Sequence, residues 1–239
     1  MPDTNKNSNS LARRWKNIHT EVVASAIKAI RDKKKIKIIA VSKTQPSVIL
    51  IEAVSCGITV FGENYALEAI EKHSALSAIG LNPEWHFIGH LQSNKVKLIA
   101  PFITMIHSVD SLKLAREISK CAVENNRTIK ILIQVNTSSE ESKSGCEPND
   151  VNKLVEDVVK LPSIELCGFM TIPSFTATDD ELRGEFSTLR QTRDELQIHY
   201  PSLVHLSMGM SGDFPLAISE GATMVRIGTA IFGERVYSK

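Results

Sequence analysis

Eight short apolar runs, separated by segments with helical periodicity, limit most strongly how this chain of 239 residues can fold. Strand, helix and strand in succession predict right-handed crossovers and parallel pairing. Eight such units favour a closed (β/α)8 barrel of the TIM type, and a doubly wound open sheet, with fewer or unevenly spaced units, is the alternative. The predicted strands cover residues 36–41, 59–61, 85–88, 104–106, 129–135, 164–169, 204–206 and 223–227.

An additional N-terminal helix is predicted to precede the first strand. Its apolar residues recur at three- and four-residue spacing, which is the stripe of an amphipathic helix. They are Leu11, Trp15, Ile18, Val22 and Ala26. Residues 1–10 are polar and lack this periodicity, so we expect a disordered lead. Residues 11–239 then form one barrel domain, a size typical of this fold.

Charge and cysteine content favour a small-molecule partner in the cytoplasm. Lys and Arg number 28 and Asp and Glu 27, so the net charge of +1 offers no field for nucleic acid or anionic lipid. The four cysteines form no CxxC pair and no metal-ligand spacing, which predicts reduced thiols and no metal site. No window approaches about 18 consecutive apolar residues, so we expect no membrane partner.

Lys43 is the first candidate site residue, because barrel active sites lie at the carboxyl ends of the strands. Alternation along the first strand places Val41 and Lys43 on one face, with the ammonium above an apolar layer. Partial desolvation there would lower the lysine pKa and supply the neutral amine that an aldimine needs. A solvated lysine at a strand end is the alternative.

Two loops after the last two strands are candidates for binding a phosphate. Ser207, Gly209 and Ser211 combine hydroxyl groups with a residue that lets backbone N–H groups approach an anion, and a predicted helix follows. Gly228 and Thr229 follow the eighth strand, and the loops after strands seven and eight are where barrels often hold phosphate. Ordinary turns use the same residue types, so that alternative stays open.

Other polar residues at strand ends are weaker candidates. Arg226 shares a strand face with Gly228 and needs an acceptor, either a carboxylate or a ligand atom. Asn64 fits a donor to a ligand or a helix cap, and Glu63 fits a partner for Arg or Lys or a general base. His86 is more often an interior histidine than a ligand contact. Three methionines have the adaptable side chains that pack against a ring: Met170, Met208 and Met210.

Several motifs, in order along the chain, resemble the pyridoxal phosphate homeostasis protein family. The resemblance extends from about residue 11 to residue 237, and its most specific part is the run WHFIGHLQSNK at residues 85–95. The other matching segments are residues 40–43, 61–65, 168–172, 206–211 and 226–228. Gly212 is one small departure, which leaves the predicted phosphate site intact.

The resemblance implies a barrel of the alanine racemase N-terminal type that binds pyridoxal 5′-phosphate, with Lys43 as the aldimine lysine. Arg226 then meets the pyridine nitrogen, and Lys143 is an auxiliary cofactor lysine. The family implies a carrier or regulator of vitamin B6 and amino-acid pools rather than an enzyme, with apo-enzymes as recipients, and we expect a monomer or weak dimer. The remaining cofactor contacts are Asn64, His86, Met170, Ser207, Met210, Ser211, Gly228 and Thr229.

An amino-acid racemase or decarboxylase on the same barrel is the competing function. Racemases of this type carry a second, β-rich domain that supplies an opposing acid or base, and the chain ends shortly after the eighth predicted strand. An Arg226 contact would also keep the pyridine nitrogen unprotonated and weaken the ring as an electron sink. A barrel that holds another phosphorylated metabolite would keep the phosphate loops and leave Lys43 without a role.

Overall fold

The computed structural model describes residues 10–138, 140, 144–174 and 176–234, and within these ranges eight parallel strands close into a barrel. The strands are β1 (Lys37–Val41), β2 (Val60–Glu63), β3 (Glu84–Phe87), β4 (Met105–Val109), β5 (Ile129–Gln134), β6 (Ile164–Met170), β7 (His205–Ser207) and β8 (Met224–Ile227). Each strand pairs with the next, and β8 closes the barrel on β1 with Ile39 opposite Arg226. The predicted closed barrel is confirmed.

Helices surround the barrel and connect its strands. In the described part of the chain they are α1 (Leu11–Lys28), α2 (Ser47–Ser55), α3 (Ala66–Ser77), α4 (Val96–Ile99), α5 (Leu112–Glu124), α6 (Val151–Val158), α7 (Asp179–Gln197), α8 (Phe214–Ser219) and α9 (Thr229–Phe232). The predicted N-terminal helix is confirmed as α1, which Ser10 caps by accepting from the Arg13 N–H. The predicted disordered lead falls on residues 1–9, outside the described residues, apart from Ser10.

Two apolar layers hold the barrel together. The larger one fills the space between strands and helices, with Phe61, Trp85 and Phe169 among its fully buried members. The smaller one lies inside the barrel and comprises Ile39, Val60, Met105, Leu132, Cys167, Met170 and Met224. Strands whose two faces are both buried read as nearly continuous apolar runs, which is why the strands were visible in the sequence.

The strand bounds agree with the predicted ones to within a few residues, and β4 differs most. It extends to Val109, beyond the predicted end at residue 106. The prediction stopped there because His107 and Ser108 are polar, although both are buried inside the fold. The pairing of β4 with β5 also shifts register between Ile106 and Val109. None of the helices in the described ranges is long and apolar enough to cross a bilayer.

Candidate functional site

A cavity of about 310 Å³ opens at the carboxyl ends of the barrel strands. Apolar side chains from three strand ends form part of its wall, namely Val41, Ile88 and Ile172. Seven of the residues predicted for the site line the same cavity. They are Lys43, Asn64, Met210, Ser211, Arg226, Gly228 and Thr229. Residues that are far apart in the sequence therefore meet in one place.

Lys43 lies just beyond β1, at the mouth of the barrel. Alternation along the strand places Ile39 in the inner apolar layer, and Val41 and Lys43 on the cavity wall above it. The Lys43 side chain is half-buried. Lys43 therefore shares the cavity wall with Val41, as strand alternation predicts.

A buried polar cluster holds both chain neighbours of Lys43. The Lys72 ammonium donates to the Ser42 carbonyl at 2.6 Å, to Glu63 Oε1 at 2.8 Å and to Glu68 Oε1 at 2.6 Å. The Ser42 hydroxyl donates to Glu63, and the Thr44 N–H donates to Glu68. Thr44 has a left-handed backbone with φ of 64°, and these bonds stabilise that unusual conformation. The cluster therefore orders the segment that carries Lys43.

Glu63 is the partner of a lysine, one of the two roles that its sequence position left open. It is fully buried, and its Oε2 has no hydrogen-bond partner among the described residues. Burial raises the pKa of Glu63, and the contacts with Lys72 and Ser42 oppose that rise. Sequence reasoning missed Lys72, although its four-residue spacing from Glu68 on a helix is a recognisable ion-pair pattern.

The two predicted phosphate loops meet across the cavity. The Thr229 hydroxyl donates to the Ser211 hydroxyl at 3.5 Å, which brings the loop after β7 against the loop after β8. A Cβ atom added at Gly212 would meet nothing within 4 Å, and at Gly228 its nearest neighbour would be 3.5 Å away. Open space beside two glycine backbones, with two hydroxyl groups close by, is a suitable cradle for a small anion.

The shape of the first loop is set by a glycine and an aspartate. Gly209 has φ of 92°, and a Cβ there would lie 2.5 Å from Ala217 Cβ, so a larger residue would push α8 away. The Asp213 carboxylate accepts from the Met210 N–H and closes the turn before α8. Burial raises the pKa of Asp213.

Arg226 extends from β8 into the floor of the cavity. Its NH1 donates to the Ser207 carbonyl at 2.7 Å and to the Ser207 hydroxyl at 2.8 Å, and its NH2 donates to the Thr171 carbonyl at 2.8 Å. These acceptors are neutral carbonyl and hydroxyl oxygens rather than the carboxylate that was one of the two predicted partners, and the ligand atom that was the other stays a prediction. Burial lowers the pKa of Arg226 to about 10, and the charge of Asp213 opposes this shift. The guanidinium therefore stays cationic at neutral pH.

Asn64 presents an unsatisfied polar atom beside this cavity. Its Oδ1 is buried without a hydrogen-bond partner among the described residues. The helix-cap role is not what the structure shows, because Tyr65 occupies the N-cap position of α3 and makes no side-chain capping bond. A Cβ on Gly89 would lie 2.6 Å from the Asn64 carbonyl oxygen, so only glycine lets the end of β3 pack against Asn64.

Three predicted contacts lie inside the barrel rather than on the cavity wall. His86 is fully buried, with Nε2 2.9 Å from a Glu84 oxygen and Nδ1 2.8 Å from His107 Nε2. The Ser207 hydroxyl contacts His107 Nδ1 at 2.8 Å in addition to Arg226. Met170 packs in the inner apolar layer. Strand alternation aims these side chains at the lumen, but their depth in the barrel places them below the cavity.

The auxiliary lysine expected at Lys143 lies outside the described residues, as do residues 139, 141, 142 and 175. Within the described ranges, no group of three or more His, Cys, Asp or Glu side chains is placed to hold a metal ion. The cavity thus combines an amine, an anion cradle, a buried guanidinium and an unsatisfied amide.

Comparison with known proteins matches most of the chain. Residues 18–236 match the family described as "Alanine racemase, N-terminal domain". The Pyridoxal phosphate homeostasis protein of Aquifex aeolicus is 48% identical over 84% of this chain and 88% of that protein. The protein of the same name from Escherichia coli is 39% identical over 97% and 99%. The structure of PipY of Synechococcus elongatus with PLP bound has a TM-score of 0.82 at 33% identity, covering 94% of this chain and all of that one.

Proposed function

We propose that this chain, which belongs to the pyridoxal phosphate homeostasis protein family, binds pyridoxal 5′-phosphate in the cavity at the carboxyl ends of its strands. One observation carries the proposal: the Lys43 amine and both glycine-and-hydroxyl loops line the same cavity. A barrel that held a phosphorylated metabolite without a covalent bond would need only the loops. The ordered segment around Lys43 favours a ligand that reacts with an amine.

The polar groups of the cavity fit the polar groups of this cofactor. Ser211 and Thr229, with the backbone N–H groups of Gly212 and Gly228, would bind the phosphate. Arg226 would face the pyridine nitrogen. The Asn64 side-chain amide, whose Oδ1 has no partner among the described residues, would contact the hydroxyl group of the ring. When bound, the cofactor supplies an aldehyde that reacts with amines and a ring that withdraws electrons.

We further propose that the protein holds and releases the cofactor in the cytoplasm, for apo-enzymes that need it, and does not turn over amino acids. Among the described residues that line the cavity, only Lys43 and Arg226 carry titratable side chains, and Arg226 stays cationic at neutral pH. Racemisation by two bases would need a second group on the opposite face of the ring. A permanent cation at the pyridine nitrogen also weakens the ring as an electron sink.

Met170, His86 and Ser207 have indirect roles in this proposal. Ser207 accepts a hydrogen bond from the Arg226 guanidinium, and His86 reaches Ser207 only through His107. Met170 supports the cavity from the inner apolar layer. Met210 stays a contact for the ring, because it lies on the cavity wall.

Spectroscopic titration of the apoprotein with the cofactor tests the proposal. The wild type should bind and show the absorbance of a lysine-linked cofactor, whereas Lys43→Ala should lose that absorbance yet retain cofactor through the phosphate loops. Ser211→Ala with Thr229→Val should speed dissociation by about tenfold or more, since a hydrogen bond to a charged group contributes about 1.5–3 kcal/mol.

Ser219→Ala is the matched control, because among the described residues its exposed hydroxyl bonds only within α8, to the Leu216 carbonyl. It should dissociate at the wild-type rate. Equal retention of cofactor by the Ser211 and Thr229 double variant would contradict the phosphate site, and unchanged absorbance in Lys43→Ala would contradict the role of Lys43.

A further inference from the structure

A continuous line of hydrogen bonds crosses the inside of the barrel below the cavity. It begins at Arg226 NH1, 2.8 Å from Ser207 Oγ, and continues over 2.8 Å to His107 Nδ1. From His107 Nε2 it crosses 2.8 Å to His86 Nδ1, and from His86 Nε2 it ends 2.9 Å away at Glu84 Oε1. Four of these five side chains are buried, and Glu84 is partly exposed at the amino end of β3.

The acceptor end of the line fixes the state of His86. The Lys37 ammonium donates to both Glu84 oxygens, at 3.0 and 2.9 Å. The hydrogen bond from His86 and the contacts with Lys37 lower the pKa of Glu84 to about 2, so this carboxyl is ionised and can only accept. His86 must therefore carry its proton on Nε2, and burial lowers the pKa of His86, which favours the neutral ring. Its Nδ1 is then an acceptor.

The remaining protons follow in one direction. Because His86 Nδ1 accepts, His107 must donate from Nε2, and its own Nδ1 then accepts from the Ser207 hydroxyl. The Ser207 oxygen keeps a lone pair for Arg226, which can only donate. Burial also lowers the pKa of His107 well below its usual value. Arg226 can only donate and Glu84 can only accept, so every hydrogen bond in the line is donated in the direction from Arg226 to Glu84. Each of the four hydrogen bonds then contains one proton.

We propose that Glu84, His86 and His107 are positioning residues that keep the Ser207 hydroxyl pointing away from Arg226 and so hold the guanidinium toward the cofactor. The part that concerns the cofactor rests on the proposed function. Without His107 as acceptor, the Ser207 hydrogen can rotate toward Arg226 NH1, which places two donors against each other. The guanidinium would then be held by two carbonyl groups alone, from Ser207 and Thr171.

Long-range ¹⁵N–¹H NMR on the apoprotein tests the direction of the line without any cofactor. Both His86 and His107 should be neutral with the proton on Nε2 at pH 7, and spectra of single histidine variants would assign their signals. A proton on Nδ1 of either ring, or an imidazolium at either position, overturns the proposal. This result does not depend on whether the cofactor binds.

Two substitutions at one position test the effect on the cofactor. His107→Leu removes both the acceptor and the donor, whereas the amide of His107→Gln offers one of each, as a neutral imidazole does. His107→Leu should shift the absorbance maximum of the bound cofactor and speed its dissociation about tenfold, the loss expected for one hydrogen bond to a charged group. His107→Gln should restore the wild-type absorbance maximum and bring the dissociation rate to within about twofold of wild type.

His73→Leu is the matched control, because His73 lies on the outside of the barrel. Its ring stacks on the Phe102 ring, with 4.2 Å between the ring centroids. This variant should leave the absorbance and the dissociation rate unchanged. Equal behaviour of His107→Leu and His107→Gln, or a wild-type rate in His107→Leu, overturns the positioning role. Failure of the wild type to bind the cofactor would instead refute the proposed function, and the NMR result would still decide the direction of the hydrogen bonds.

Discussion

Lys72→Met removes the only cation that contacts Glu63 in the described structure, and it should strongly destabilise the fold. Lys72 and Glu63 are nearly inaccessible to solvent, with 3% and 0% of their side chains exposed. Breaking a buried ion pair from one side costs about 3–5 kcal/mol, because the remaining charge is left uncompensated. Glu63 keeps only the hydrogen bond from Ser42, so we expect a loss of about 3 kcal/mol at pH 8.

The pH dependence of this loss has a definite sign. Burial already raises the pKa of Glu63 in the wild type, and removing Lys72 raises it further. An acid whose pKa is higher in the folded state binds more protons there, so stability falls as pH rises from the unfolded pKa, about 4.3, through the folded pKa. The Lys72→Met variant should therefore lose more stability at pH 8 than at pH 5.

Urea unfolding at pH 5 and pH 8 measures these effects. It would be applied to the wild type, to Lys72→Met, to Lys72→Met combined with Glu63→Gln, and to Lys153→Met. Glu63→Gln with Lys72→Met should recover part of the loss, because no buried charge remains. Lys153→Met removes an exposed ion pair with Asp157, in which the lysine side chain is 74% exposed, and should cost about 0–1 kcal/mol. A loss below about 1 kcal/mol for Lys72→Met at pH 8, or an equal loss at pH 5 and pH 8, would contradict this prediction.

Two further predictions concern the cavity. Gly89→Ala should weaken cofactor binding, measured by titration, because its Cβ would lie 2.6 to 2.9 Å from three Asn64 atoms, two of them backbone atoms. Gly184→Ala is the control, because a Cβ there meets nothing within 4 Å. It should bind the cofactor normally and stabilise α7 by up to about 1 kcal/mol. In deuterated water, the cofactor-loaded protein should not exchange the α-proton of common L-amino acids at enzymatic rates. NMR detection of turnover near the enzymatic median of about 10 s⁻¹ would support the racemase alternative instead.

Most of the fold could be predicted from the sequence because parallel barrel strands are buried on both faces and stand out as apolar runs. β4 shows the limit of that signal. His107 and Ser108 are polar residues inside the barrel, and an apolar pattern ends where they begin. The burial of His107 depends on hydrogen-bond partners from other strands, His86 of β3 and Ser207 of β7, which no local pattern contains.

The candidate site was predictable where position along a strand was sufficient. Lys43, Ser211 and Arg226 follow from the rule that strand ends build the mouth of a barrel. His86 and Ser207 face the lumen as alternation requires, but depth depends on how the strands are staggered, so they lie below the cavity. That stagger arises from pairing across the whole barrel.

Reductive trapping would identify the lysine to which the cofactor is bound. The loaded protein would be treated with borohydride, digested with a protease and analysed by mass spectrometry, with Lys43→Arg treated in parallel. We expect one pyridoxyl phosphate group on the peptide that contains Lys43, and loss of that label in Lys43→Arg. A label on another lysine with Lys43 unmodified, or no label on a protein saturated with cofactor, would contradict this expectation.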